Sequence, residues 1–230
     1  MMQIIKGLLA SGFRRLFGNH VSPIVFVGSE DYWNRRYALG GTSGPGSYGV
    51  LAEFKARVLN ELVRDENIRS VIEFGCGDGN QLLLAKYPQY TGFDISERAV
   101  SVCRSRFKYD NSKSFKLLSE YSGETAELAL SLDVIYHLVE DEVFEMHMGR
   151  CFVSATRYVV VYSTNTEQQM SKQAHHVRHR RFTDWIVTNC HGWVLAKHVE
   201  NLHAYKGDLA VGSSADFFIY RKSQGVSGLM

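Results

Sequence analysis

Residues 70–96 read SVIEFGCGDGNQLLLAKYPQYTGFDIS, and the rest of the chain is organised around them. Ser70–Phe74 is a short apolar run with β-branched residues, the pattern of a buried parallel strand. It runs into Gly75-Cys76-Gly77-Asp78-Gly79, where glycines at alternate positions let the backbone turn sharply and keep side chains clear of a ligand. Asn80–Lys86 then reads as a helix, whose free N–H groups and positive dipole end would face whatever lies over the glycines. Tyr90–Phe93 is a second strand with Asp94 at its carboxyl end. Ligands of open α/β sheets bind at that edge, and an acid about 20 residues past the glycines is placed to accept hydrogen bonds from ribose hydroxyls.

The spacing narrows the ligand. A dinucleotide site calls for G-x-G-x-x-G, and a P-loop for a lysine after its last glycine. This chain has G-x-G-x-G, preceded by Glu73, and no such lysine. EFGCGDG, GFDIS and the later strand ending Leu132-Asp133-Val134-Ile135 together resemble the class I S-adenosylmethionine (SAM)-dependent methyltransferases, over roughly residues 70–165. The resemblance implies SAM as cofactor. Glu73, Gly75, Cys76, Gly77 and Gly79 would hold its methionine end, and Asp94 its ribose. Ser119 and Glu120 would lie at the adenine edge, with Ile95 and Asp133 among the remaining contacts. The plainer alternative is a tight βα turn, with Asp94 capping the helix that starts at Ser96.

The chain has 230 residues, 45% hydrophobic and 22% charged, enough for one α/β domain with a sizeable core. A net charge of +2 gives no argument for bulk nucleic-acid binding. Cys76, Cys103, Cys151 and Cys190 show no C-x-x-C pair and read as free thiols of a reducing, cytoplasmic setting rather than a zinc site or disulfide framework. No apolar run approaches the roughly 18 residues of a membrane span.

Residues 1–18 place Ile5, Leu8, Leu9, Phe13, Leu16 and Phe17 near one helical face. That helix would pack on the domain or lie on an anionic membrane surface. In residues 29–37, Tyr32-Trp33-Asn34-Arg35-Arg36-Tyr37 is similar to a Y/F-W-x-x-R-Y lid segment of small-molecule methyltransferases. That likeness implies Trp33 and Tyr37 shielding the methionine end and Arg36 pairing with its carboxylate; a surface helix is the alternative. Gly40–Gly49 is too glycine-rich for a helix and reads as a linker or a closing loop, with Ser43, Ser47 and Tyr48 in reach of cofactor or substrate. Val50–Asn67 carries Leu51, Phe54, Val58, Leu59, Leu62 and Val63 at helical spacing and reads as a core helix without a functional role.

Further along, the pattern gives a helix at Glu97–Arg106, a strand at Ser114–Leu117, a short helix at Ser122–Glu127 and a strand at Leu128–Ile135. The last brings Asp133, Tyr136 and His137 to the ligand edge. His137 is the candidate general base, since an ordinary imidazole titrates near 6.5; a histidine capping or packing under the cofactor is the alternative. Neither an N/D-P-P-Y turn nor a cysteine beside a proline occurs, which argues against methylases of base amino groups and of pyrimidine carbon. A helix at Asp141–Val153 and a strand at Tyr158–Thr164 precede His175-His176-Val177-Arg178-His179-Arg180-Arg181, the densest positive cluster. It reads as a solvated loop or as a pocket in which His176, Arg178 and Arg180 take an anionic substrate; a metal held by its histidines is the third possibility. Thr183–Cys190 is a helix capped by Thr183, and Trp193–Val199 and Asp216–Lys222 are closing strands.

The expected fold is a doubly wound, Rossmann-like sheet of seven strands, mostly parallel with an antiparallel last strand and helices on both faces. Residues 1–20 form the leading amphipathic helix, 21–69 a lid segment and helix, 70–222 the cofactor domain and 223–230 a frayed tail. The expected activity is methyl transfer from SAM to a small molecule or glycan, on oxygen. An N-methyltransferase or a non-catalytic SAM-binding partner subunit are the alternatives.

Overall fold

The structure, a computed structural model, describes residues 25–171 and 173–223. The amphipathic start at residues 1–18 and the tail from 224 onward lie outside the described residues.

One mixed sheet of seven strands carries the fold. Its strands are β1 (Ser70–Phe74), β2 (Gln89–Asp94), β3 (Lys113–Leu117), β4 (Ala126–Leu132), β5 (Ala155–Ser163), β6 (Trp193–Val199) and β7 (Asp216–Lys222), in the order β3-β2-β1-β4-β5-β7-β6. The first five are parallel, and β7 runs antiparallel to both of its neighbours, as the sequence led us to expect. Chain order reverses between β1 and β4, so a crevice opens at their carboxyl ends, the usual ligand position in such sheets.

Side chains alternate across β1. Val71 joins Phe54, Leu59 and Val63 of helix α2 (Gly49–Asp65) in one core cluster. Ile72 and Phe74 join Phe144 and Met148 of helix α4 (Asp141–Ser154) and Phe182 and Ile186 of helix α5 (Phe182–Asn189) in the other. Helix α1 (Ser29–Ala38) lies ahead of the sheet, and helix α3 (Glu97–Arg106), capped by the Ser96 hydroxyl, links β2 to β3.

Four expected elements differ, the first being the strand foreseen at 128–135, which runs from Ala126 only to Leu132 and gives way to a 3₁₀ turn at Ile135–His137. The helix foreseen at 80–86 is a single 3₁₀ turn, Gln81–Leu84, and Ala85 is already extended. Too few residues separate the glycines from Pro88 to offset the cost of nucleating a helix, and the residue before a proline is held extended. No helix dipole therefore stands behind the glycine turn. Helix α2 holds this short crossover instead: Gln81 Nε2 donates to the Ala52 carbonyl (3.0 Å) and Asn60 Nδ2 to that of Leu84 (2.9 Å). The helix foreseen at 122–127 is an irregular turn, with Glu124 accepting from the Ser122 N–H and from Lys116, before Ala126 opens β4. Helix α5 begins one residue before Thr183, whose hydroxyl binds the Asn165 side chain rather than capping the helix.

Candidate active site

The carboxyl ends of β1, β2 and β4 border an open cavity of about 830 Å³, counting the space at its mouth. Gly75, Gly77 and Gly79 all have positive φ (90°, 57° and 70°), a region other residues seldom enter. Packing adds a second reason. A Cβ on Gly77 would fall 2.3 Å from Ser43 Oγ, and one on Gly75 2.5 Å from the Val134 side chain. The bare turn thus receives the 40–49 loop above it. Asp78 latches the two together: its Oδ2 accepts from the Ser43 N–H (3.1 Å) and the Tyr48 hydroxyl (2.8 Å), while its own N–H donates to Ser43 Oγ (3.0 Å). Burial pulls the Asp78 carboxyl upward, but the N–H groups of Asn80 and Ser43 and the Tyr48 hydroxyl outweigh it, and its pKa falls below the ordinary value.

Asp94 is buried at the end of β2. Its two oxygens accept from the Gly77 N–H (2.9 Å) and the Ser96 N–H (2.9 Å), so the carboxylate is fixed across the tips of two adjacent strands. Burial raises its pKa against those N–H donors. Glu73, one strand over, takes the Tyr90 hydroxyl at 2.5 Å. Burial pushes Glu73 up to about 7, with Tyr90 and the Lys55 charge pulling the other way.

At the end of β4 the chain turns through Asp133, a non-glycine residue at φ 59°. Such a conformation persists where surroundings over-determine it. Here the Asp133 N–H donates to the Tyr162 carbonyl (2.9 Å), Oδ2 meets Lys55 Nζ (2.5 Å), and Oδ1 accepts from the Tyr136 hydroxyl (2.7 Å). Lys55 was read as part of a plain core helix. Its side chain is 1% exposed and borders the cavity, so that reading is corrected. The signal was present: Leu51, Lys55, Leu59 and Val63 recur every four residues, which sets one charge on the buried ridge.

His137 follows in a 3₁₀ turn and faces the cavity beside Trp33, whose ring meets it edge-on at 4.9 Å. Its Nδ1 lies 3.1 Å from the His176 carbonyl, which can only accept, so Nδ1 carries the proton and Nε2 the lone pair. Burial lowers the His137 pKa to about 4, against the pull of that carbonyl.

Of the residues singled out from sequence, Trp33, Tyr37, Ser43, Ser47, Glu73, Gly75, Cys76, Gly77, Asp94, Ile95, Asp133 and His137 border this cavity. The others do not. Gly79 packs on Cys103 and Phe107 beneath the turn. Arg36 lays its guanidinium over Trp33 and donates to the Thr42 carbonyl (2.7 Å), away from the cavity. Glu120 turns back to accept its own Leu117 N–H (2.6 Å), and it and Ser119 are exposed; Leu118 takes the place at the wall, giving an apolar edge with Ile95 and Leu138. Tyr48 is spent on Asp78 and Tyr136 on Asp133.

The basic cluster is a strut rather than an anion pocket. Arg180 donates to the carbonyls of Leu138 (2.6 Å) and Val139 (2.7 Å) and pairs with Asp141; Arg178 bonds the Val139 carbonyl (2.9 Å) and the same Asp141. His176 stacks on Tyr32 at 4.0 Å. Ser29 at the start of α1 joins this brace through Glu140 and the Val139 N–H. Among the described residues no group of three or more His, Cys, Asp or Glu is arranged to hold a metal, and no helix is long and apolar enough to cross a membrane.

No protein-family model matches the chain, and no curated protein sequence does. Solved structures do. The N-methyltransferase NodS from Bradyrhizobium japonicum WM9, in complex with S-adenosylhomocysteine, superposes with a TM-score of 0.64 at 14% identity, over 86% of this chain and 100% of that one. Magnesium protoporphyrin IX methyltransferase (ChlM) from Synechocystis PCC 6803, with bound SAM, gives 0.61 at 17% identity, over 87% and 100%. The methyltransferase domain of bacterial CtHen1 gives 0.58 at 20% identity, over 75% and 98%. This chain has the fold of those enzymes.

Proposed function

We propose that the chain is a SAM-dependent methyltransferase acting on a small molecule or glycan, with oxygen the favoured atom. The observation that carries this reading is the Asp94 carboxylate, buried at the tip of β2 and bonded to the Gly77 N–H of the glycine turn. The comparisons support it, since enzymes of the same fold were solved with SAM or its product. The residues also suit the cofactor. Asp94 offers lone pairs to ribose hydroxyls, Ile95 and Leu118 offer apolar surface to a base, and Gln81 Oε1 on the same wall is a buried acceptor without a donor among the described residues.

Bound there, SAM would supply a methyl group on a positively charged sulfonium, open to in-line displacement. The protein's part is positioning. The 40–49 loop, latched by Asp78, holds Ser43 and Ser47 at the cavity wall. Trp33 and Tyr37 wall it from above. His137 is neutral at pH 7, with Nε2 free to take a proton from an acceptor hydroxyl. Its low pKa makes it a weak base, and positioning therefore carries more of the rate.

The test is turnover of purified full chain with SAM over a panel of hydroxyl and amine acceptors, read as S-adenosylhomocysteine release. For an oxygen acceptor, His137→Gln is expected to lower kcat about 10²-fold, within the usual range for a positioned base, while product affinity holds. An unchanged kcat on the best acceptor would favour an amine that attacks as its free form. Release on no acceptor would favour a binding subunit.

A further inference from the structure

Three nearly parallel rings run from helix α1 to the cavity. Tyr32 of α1 stacks on His176 at 4.0 Å and 11°, and His176 stacks on His137 at 5.3 Å and 16°. Trp33, the next residue of α1, stands edge-on to the two outer rings, 5.5 Å from Tyr32 and 4.9 Å from His137. Tyr136 meets His137 at 4.6 Å. Stacked and edge-to-face contacts are the ones aromatic rings favour.

The backbone around His176 is tied down without help from its ring. The Arg178 N–H donates to the Tyr136 carbonyl (2.8 Å), and the Gln173 side chain donates to the Val177 carbonyl (2.6 Å). His137 Nδ1–H donates in return to the His176 carbonyl (3.1 Å). That bond decides which nitrogen of His137 carries the proton. It sets the ring plane only loosely, since the last torsion of a histidine has broad wells. The stacked His176 ring fixes the plane, and with it the direction of Nε2. Half-burial and the nearby Arg36 charge lower the His176 pKa, so at pH 7 the ring stacks as the neutral imidazole and sets no second charge against Arg36.

We propose that His176 is a positioning residue: its ring, sandwiched between Tyr32 and His137, holds the His137 imidazole in the plane that aims Nε2 at the cavity, so that seating of α1 and alignment of the base are one event. The catalytic part of this inference rests on the methyltransferase reading above; the alignment of His137 does not.

Imidazole proton–nitrogen correlation spectra of the full chain, recorded across pH, test the alignment, with His137→Gln assigning the signals. The groups facing His137 are Asp133 and Tyr136 from its own turn, His176 from the 173–181 segment, and Arg36 and Trp33 from α1. His176→Ala removes the ring and keeps the carbonyl, His176→Phe restores a ring, and Tyr32→Leu removes the far end of the stack. The wild type is expected to show the Nδ1–H form with a pKa of about 4. In His176→Ala the tautomer persists, and the pKa rises by about one unit or more because water reaches the uncovered face. His176→Phe returns it to the wild-type value, and Tyr32→Leu falls between. On any acceptor the chain turns over, His176→Ala lowers kcat about ten-fold, because lost alignment outweighs the gain in basicity. S-adenosylhomocysteine affinity holds, and His176→Phe recovers kcat. An unchanged His137 pKa in His176→Ala would overturn the proposal. So would a shifted pKa with unchanged kcat, or a phenylalanine variant that behaves like the alanine one. If His176→Ala does not fold, Tyr32→Leu decides: a raised His137 pKa supports the proposal, and an unchanged one overturns it. Turnover on no acceptor overturns the methyltransferase reading and leaves the spectra to decide the alignment.

Discussion

Glu73 shows how one residue links the site to stability. Its folded pKa of about 7 lies above the ordinary carboxyl value, so between those pH values the folded state binds a proton that the unfolded state has lost. Its contribution is fully present below the unfolded value and is lost as pH rises to about 7. At about 1.4 kcal/mol per pKa unit the loss is about 3 kcal/mol. Glu73→Gln keeps an oxygen for Tyr90 and should leave stability near wild type at pH 5 but raise it by about 2–3 kcal/mol at pH 8. Urea melts at the two pH values check this, and an equal effect at both would contradict it. At this scale the sequence was legible where chemistry is local: Asp94 stands a fixed distance from a glycine turn, and both border the cavity. It was illegible where partners are distant in sequence. Lys55 meets Asp133 across 78 residues, and nothing in either stretch names the other.

Among the elements, the surprise is the 138–141 turn that carries His137 into place. The chain's densest positive cluster reads in sequence as a solvated loop or an anion pocket, because spacing gives no hint that carbonyl oxygens will answer the guanidinium groups. In the fold those groups clamp Leu138, Val139 and Asp141, and α1 ties into the same segment through Ser29. Arg180, 11% exposed in its side chain, is the centre of the clamp. Arg180→Ala should destabilise the protein by about 1.5–3 kcal/mol, the usual worth of charged hydrogen bonds. Amide exchange should quicken across 136–141 more than in β1. Uniform exchange with no loss of stability would show that the cluster is only surface charge. Strands were readable to within about three residues, since short β-branched runs bounded by turns have few alternatives, but β4 ends at Leu132 where the apolar pattern carries on to Ile135. The 80–86 helix was misread because apolar spacing alone does not count the residues available before Pro88.

For the whole molecule, the reversal of strand order between β1 and β4 does the decisive work, bringing the tips of β1, β2 and β4 to one crevice. The seven strands were counted from the sequence, and their doubly wound order with an antiparallel last strand came from the resemblance to the methyltransferase fold. Parts of the crevice wall were not legible, because no motif encodes them: the apolar edge of Ile95, Leu118 and Leu138 and the buried pair Lys55–Asp133 exist only once distant segments meet. The central claim is that this crevice takes a nucleoside through Asp94. It is tested most directly by calorimetric titration of S-adenosylhomocysteine into the wild type and into Asp94→Ala. The account predicts binding to the wild type, and a loss of about 1.5–3 kcal/mol in the variant, the worth of charge-assisted hydrogen bonds to ribose. Equal affinity in both proteins, or no binding by the wild type, would contradict it.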